Sequence, residues 1–306
     1  MKGGLKPLKK DKRDFRAGLI LALPRLETLP RKIDKKILKI INQTSSSFCT
    51  AASSAYGKQI TEGKNPFWPA LYAIGKWVAR EDPDEWGLQM RDIYKALNYS
   101  VPMFEDAPES LKERLQAQDW SYLARIENYP KDFIESGKHY RNKSFMKVWH
   151  PTYDAYDTCR AIFFKYPKAT IGIGLLFGWP LSQHLLSGVP KNGFGHKMEG
   201  ITYDEEGIVA PNTYGIDAGR SGYHRIARET INAFAERYGL FLGTDMPVKE
   251  VKRQQEQAIY YMSPWWKKIL SWYNLKKIYG INESIMRKSV FDIQEKMDRK
   301  SIFDTN

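Results

Sequence analysis

Cysteine is nearly absent from this 306-residue chain, which has two, Cys49 and Cys159. Two thiols cannot build the disulfide framework of a small secreted domain, so the fold must rest on a packed core. Long apolar runs are also missing. The run over residues 17–24 stops after eight residues at Arg25, far short of a membrane span and marginal for a signal core. The five histidines, at 139, 150, 184, 196 and 224, show no close ligand spacing with either cysteine, which argues against a structural metal. The glycines of Thr170 to Trp179 are followed by no Lys-Ser/Thr and open no helix, so they are not a phosphate loop. There is no nucleotide fingerprint, and no cofactor is expected.

What is present describes a globular protein, with 42% hydrophobic and 27% charged residues and enough length for one large domain or two small ones. The net charge of +13 sits at the ends. Residues 1–40 hold 13 Lys/Arg against 4 Asp/Glu, and residues 246–306 hold 12 against 7, leaving the middle near neutral. Basic ends can dock on acidic proteins, nucleic acid or an anionic membrane, or serve only as a solvated surface.

The chain is organised around Gln43 to Gly57, with one glutamine, a cysteine six residues later, and a run of small residues. Ala51, Ala52, Ala55, Tyr56 and Ile60 recur near helical spacing, and small side chains allow close packing. Thr44 to Ser47 favours turns that bond their own backbone, which predicts a helix starting at or near Cys49. A thiol there faces free N–H groups and the positive end of the helix dipole, which lower its pKa and favour the nucleophilic thiolate. The plain alternative is a buried structural cysteine.

Downstream, Phe194-Gly-His196 enters an apolar strand. Asn212-Thr-Tyr-Gly215 and Gly219-Arg-Ser-Gly222-Tyr223 follow. His196 and Asn212 lie 147 and 163 residues after Cys49. Together these motifs resemble the papain family of cysteine peptidases, in which the handful of signals arrives in this order with a spacing of roughly 130–150 residues. Gln43 stands where the family has its oxyanion-hole glutamine. Leu29-Pro30 with Ile33-Asp34 resembles the start of the family's mature domain.

The resemblance covers residues 29–240. It implies an α+β, two-lobe fold, with Cys49 at a helix N-terminus in one lobe and His196 and Asn212 in an antiparallel β lobe. It also implies a Cys49–His196–Asn212 triad with Gln43 and the Cys49 N–H as oxyanion donors, acting on a peptide or protein substrate. Secreted relatives carry a cysteine three residues before the nucleophile. Ser46 stands there, which with the missing bridges points to a reducing cytoplasm or a virion. Lys12-Arg13-Asp14-Phe15 resembles a lead-in of bacterial and bacteriophage relatives, and the N-terminal stretch is shorter than the helical inhibitory propeptide of others. The chain departs from the family pattern at Phe48, Lys197 and Pro211, and has Tyr214 where tryptophan is common.

Along the rest of the chain, Ala70 to Val78 reads as an aromatic-rich helix after the Asn65-Pro-Phe-Trp-Pro69 turn, and Ile93 to Leu97 as another. Val101 to Tyr156 carries no recognisable motif. Thr170 to Trp179 reads as a buried strand, with short strands at 201–203, 208–209 and 223–226 and a helix over Ile231 to Tyr238. Three segments result: a basic arm (1–28), a peptidase domain (29–245) and a C-terminal aromatic and basic extension (246–306). In that extension Trp265, Trp266, Ile269, Leu270, Trp272 and Tyr273 fall at helical spacing. The expected function is a cysteine peptidase, with virion partners reached through the basic ends. The alternatives are a catalytically silent papain-like binding piece and, ranked behind both, a cell-wall amidase.

Overall fold

A computed structural model describes residues 4–9, 11 and 14–262. The chain divides into two units, residues 1–255 and 256–306. Of the second, only the end of one helix is described. The tryptophan-rich stretch over 265–273 therefore lies outside the described residues.

The first lobe is helical. After strand β1 (Leu5–Lys6) and helix α1 (Ala17–Ile20), its centre is α2 (Cys49–Glu62), which starts where the turn-forming serines end. It stops at Gly63, whose φ of 66° lets its N–H cap the Gln59 carbonyl. The alanines at 51, 52 and 55 are wholly buried, so neighbouring elements close on the helix from several sides. Helix α3 (Trp68–Ala79) carries Pro69 in its first turn, where no N–H is needed. Strand β2 (Leu88–Gln89) and α4 (Met90–Tyr99) follow, then the short helices α5 (Glu109–Gln116), α6 (Trp120–Leu123) and α7 (Lys131–Ser136).

The second lobe is built on strands β3 (Ser144–Lys147), β4 (Ile171–Phe177), β5 (Leu185–Leu186), β6 (Phe194–Gly200), β7 (Thr202–Tyr203), β8 (Ile208–Pro211), β9 (Tyr223–Ile226) and β10 (Leu240–Thr244). One sheet has the order β3-β10-β4-β6, and the other β5-β9-β8-β7. Helices α8 (Ala155–Lys165) and α9 (Arg228–Phe234) pack on them, and α10 (Val248–Met262) follows. The two-lobe α+β architecture is the one expected. The Leu29-to-Asp34 segment is tied in by the Ile33 N–H on the Tyr203 carbonyl at 3.0 Å.

Two features position the site. Strand β6 alternates its side chains, so Lys197 and Glu199 lie on one face and His196 and Met198 on the other. The Lys197 face meets α2, where Nζ donates to Ser54 Oγ at 2.7 Å and to Glu199 Oε2 at 2.6 Å. Residues 4–6 form a strap across the lobes. Its β1 pairs in parallel with β2, Leu5 opposite Leu88 and Lys6 opposite Gln89.

Candidate active site

Cys49 is the first residue of α2 and has no solvent exposure. Backbone N–H groups of Lys197, Gly4 and Thr50 act on its thiol, as does the Lys197 charge. His196, the neighbour of Lys197 in β6, is equally buried. Its Nε2 lies 3.2 Å from Asn212 Oδ1. Its Nδ1 has no hydrogen-bond partner among the described residues. Tyr214 stacks on the ring at 5.2 Å and 16°, and Phe177 meets it edge-on at 5.4 Å. These rings keep water from the Asn–His bond, which strengthens it.

Asn212 follows β8, and its carbonyl accepts from Tyr56 Oη of α2 at 2.6 Å. The same hydroxyl accepts from the Ile41 N–H at 2.9 Å. One buried tyrosine thus ties the cysteine helix to the segments that carry Asn212 and Gln43. Gln43 is tied to the same loop. Its N–H donates to the Thr213 carbonyl at 2.7 Å, and its Oε1 accepts from Thr213 Oγ1 at 2.5 Å. Its Nε2 donates to the Ser46 carbonyl at 2.8 Å. An amide carries two N–H bonds, so one remains for a further acceptor. Thr44 next to it has φ 52°, an uncommon conformation for a β-branched residue, held by its N–H on Asn42 Oδ1 at 3.0 Å. The fold therefore brings Gln43 and Asn212 together through Thr213, and sets Cys49 against the strand of His196.

The electrostatics differ from the sequence expectation. A helix N-terminus should lower the thiol's pKa, but burial outweighs the N–H groups and the Lys197 charge and pushes Cys49 up to about 11. Burial also brings His196 down to about 3, against the Asn212 hydrogen bond, which raises it. Both groups are neutral at pH 7 in this closed state. The N-terminal strap lies against this closed site. A Cβ placed on Gly4 would stand 1.7 Å from the Ser47 carbonyl oxygen and 3.1 Å from Cys49 Sγ. The Gly4 carbonyl accepts from the Leu88 N–H at 2.9 Å, and a Cβ on Gly195 would meet the Leu5 carbonyl oxygen at 1.9 Å. Lys6 Nζ pairs with Glu85 at 2.7 Å and Glu81 at 3.0 Å. A cleft of about 360 Å³ opens elsewhere, lined by Asn42, Thr44, Trp68, Gln118 and Trp120 among others, and holds neither Cys49 nor His196.

Three contributors escaped the sequence reading. Thr213 and Tyr56 act by position alone, which no motif encodes. His224 had a signal, since it directly follows Gly222-Tyr223, but metal spacing was the test applied to it. Its Nε2 lies 2.8 Å from Asn212 Nδ2 and its Nδ1 2.6 Å from the Gln183 carbonyl oxygen.

The fold matches that of solved papain-like cysteine proteases, at low sequence identity. Xylellain, a cysteine protease from Xylella fastidiosa, matches with a TM-score of 0.61 at 17% identity, over 79% of this chain and 96% of its own. Digestive procathepsin L 3 of the Tenebrio molitor larval midgut matches at 0.55 and 11% identity, over 76% of this chain and 74% of its own. The ragweed pollen allergen Amb a 11, a cysteine protease in its proform, matches at 0.52 and 15% identity, over 71% of this chain and 66% of its own. No protein-family model matches the sequence, and no curated protein sequence matches it.

Proposed function

We propose that this chain is a cysteine peptidase, with residues 29–245 as its catalytic domain and Cys49, His196, Asn212 and Gln43 as the reacting and stabilising groups. One observation carries this reading. His196 is fixed by Asn212 through Nε2 while its Nδ1 is buried without a partner among the described residues, in the strand whose next N–H meets the Cys49 thiol. An imidazole so oriented can take the thiol proton at Nδ1 and return it to a leaving amine. The Cys49 thiolate forms the C–S bond to the scissile carbonyl. The second Nε2–H of Gln43 and the Cys49 N–H at the helix start stabilise the oxyanion. Water, deprotonated by His196, then releases the acyl group from sulfur.

Substrate reaches Cys49 only when the strap lifts, and rehydration then moves thiol and imidazole back toward the ion pair. The basic ends are assigned to docking on partner proteins of an assembly, with a virion as the proposed setting. The closed, neutral state favours a second reading, in which the domain is a catalytically silent binding piece. Turnover of a peptide library by the full chain and by Cys49→Ala separates the two. The peptidase reading requires activity that Cys49→Ala abolishes and His196→Ala nearly abolishes. Equal turnover by wild type and Cys49→Ala rules it out.

A further inference from the structure

The hydrogen bonds around Asn212 continue past it to a buried second histidine. His224 has no solvent exposure, and its Nδ1 lies 2.6 Å from the Gln183 carbonyl oxygen. A carbonyl oxygen only accepts, so Nδ1 must carry the proton. Burial brings the ring's pKa down to about 4, so at neutral pH it holds one proton and Nε2 is bare. A bare Nε2 at 2.8 Å from the Asn212 side chain requires an N–H there, which makes the facing atom Nδ2. Oδ1 then faces the other way, toward His196 Nε2 at 3.2 Å and the Thr213 N–H at 2.7 Å. Two separate groups, His224 and the Thr213 N–H, thus demand the same orientation of the amide. His196 must donate from Nε2 to that oxygen, which leaves its Nδ1 bare and able to accept a proton.

We infer that His224 is a positioning residue for the proposed peptidase site: through the Asn212 amide it fixes His196 in the tautomer whose free Nδ1 can act as the base toward Cys49. The relay runs from the Gln183 carbonyl through His224 and Asn212 to His196, with every donor and acceptor assigned. Phe177 seals it, meeting the His224 ring at 5.8 Å and the His196 ring at 5.4 Å. Without His224 the Asn212 Nδ2 is a buried donor with no acceptor, and the amide gains by moving or turning. A turned amide presents N–H to His196 and selects the tautomer that cannot take the thiol proton. Wrong-tautomer geometry in a well-studied serine protease lowers kcat by about 10⁴. Here the Thr213 N–H still opposes the turn, so the expected loss is smaller.

The inference rests on the peptidase reading for its consequence, but it is tested apart from activity. Full-length chain labelled with ¹⁵N-histidine should show His224 protonated at Nδ1 and His196 at Nε2 near pH 7. The opposite pattern at either ring overturns the proposal, whatever the variants do. In His224→Leu, His196 should lose its single Nε2–H signature, and kcat on a peptide substrate should fall about tenfold or more with KM within twofold. His224→Gln can accept from Asn212 and donate to the Gln183 carbonyl, and should keep kcat within a few-fold. An unchanged His196 tautomer in His224→Leu overturns the proposal, as does an unchanged kcat. A chain with the assigned tautomers but no turnover refutes the peptidase reading and upholds the positioning.

Discussion

Gly4→Ala should open the site. The added methyl would lie 1.7 Å from the Ser47 carbonyl oxygen, a backbone atom that cannot swing aside. Overpacking of this kind costs about 1–3 kcal/mol, here borne by the closed state alone. What holds the strap is of similar size. Burial of Leu5 contributes about 1.5–3 kcal/mol. The backbone bonds of Gly4 to Leu88 and of Leu8 to Arg237 each add about 1 kcal/mol. The Lys6 pairs, partly exposed, add little. Ordering the strap costs about 1–2 kcal/mol per residue in return. The substitution should therefore raise the open population by about 5- to 150-fold, up to full opening. Iodoacetamide alkylation near pH 7.5, mapped to individual peptides, reads this directly. Cys159 serves as the internal control, since it is buried in α8 with its thiol pKa raised by burial. Equal Cys49 alkylation in wild type and Gly4→Ala would refute the reasoning.

Gln43→Ala should lower turnover by about 10²–10³ with little change in KM, the loss expected for one oxyanion donor; a loss confined to KM would contradict that role. Lys197 and Glu199 form a buried pair at 2.6 Å, so Lys197→Met should destabilise the fold by about 3–5 kcal/mol. Adding Glu199→Leu should restore much of that in urea titrations, and a double variant no better than the single one would count against it. The imidazoles predict an acid effect. Burial holds His196 at about 3 and His224 at about 4, below the ordinary value of 6.5. The unfolded chain therefore binds more protons in that window, so their contribution is complete above pH 6.5 and is lost as pH falls toward 4 and 3. The urea midpoint of wild type should drop more steeply from pH 7 to 4 than that of His196→Gln. Matching slopes would contradict this.

The helix at Cys49 and the strands at 171–177, 202–203, 208–211 and 223–226 were legible because apolar periodicity and turn residues mark them, while the helix expected over Ile231 to Tyr238 begins earlier, at Arg228, and ends at Phe234. Strands β3 and β10 were missed. They are short, and β10 pairs between β3 and β4 across a long stretch of sequence, so tertiary pairing decides their state. Helix α8 was missed although Asp154 caps it, accepting the Asp157 N–H at 2.8 Å, because the polar segment before it drew no helix reading. The proposed site residues Cys49, His196, Asn212 and Gln43 were picked out by residue type and order. The reversal of the thiol's expected pKa was not. It comes from burial of the thiol, which outweighs the N–H groups acting on it, and residues as distant in sequence as Gly4, 45 positions away, close on Cys49 only in the folded chain.

The most direct test of the account is covalent trapping at the thiol. Full-length wild type, Gly4→Ala and Gly4→Ala/His196→Ala would be incubated at neutral pH with a peptidyl epoxide that reacts with activated thiols, and the adducts mapped by peptide mass. A cysteine peptidase closed by its own strap predicts slow modification of Cys49 in wild type, faster modification in Gly4→Ala, loss of labelling with His196→Ala, and none at Cys159. Failure of the epoxide to label Cys49 in Gly4→Ala while iodoacetamide reaches it would show an accessible thiol with no activating base, and would contradict the peptidase assignment.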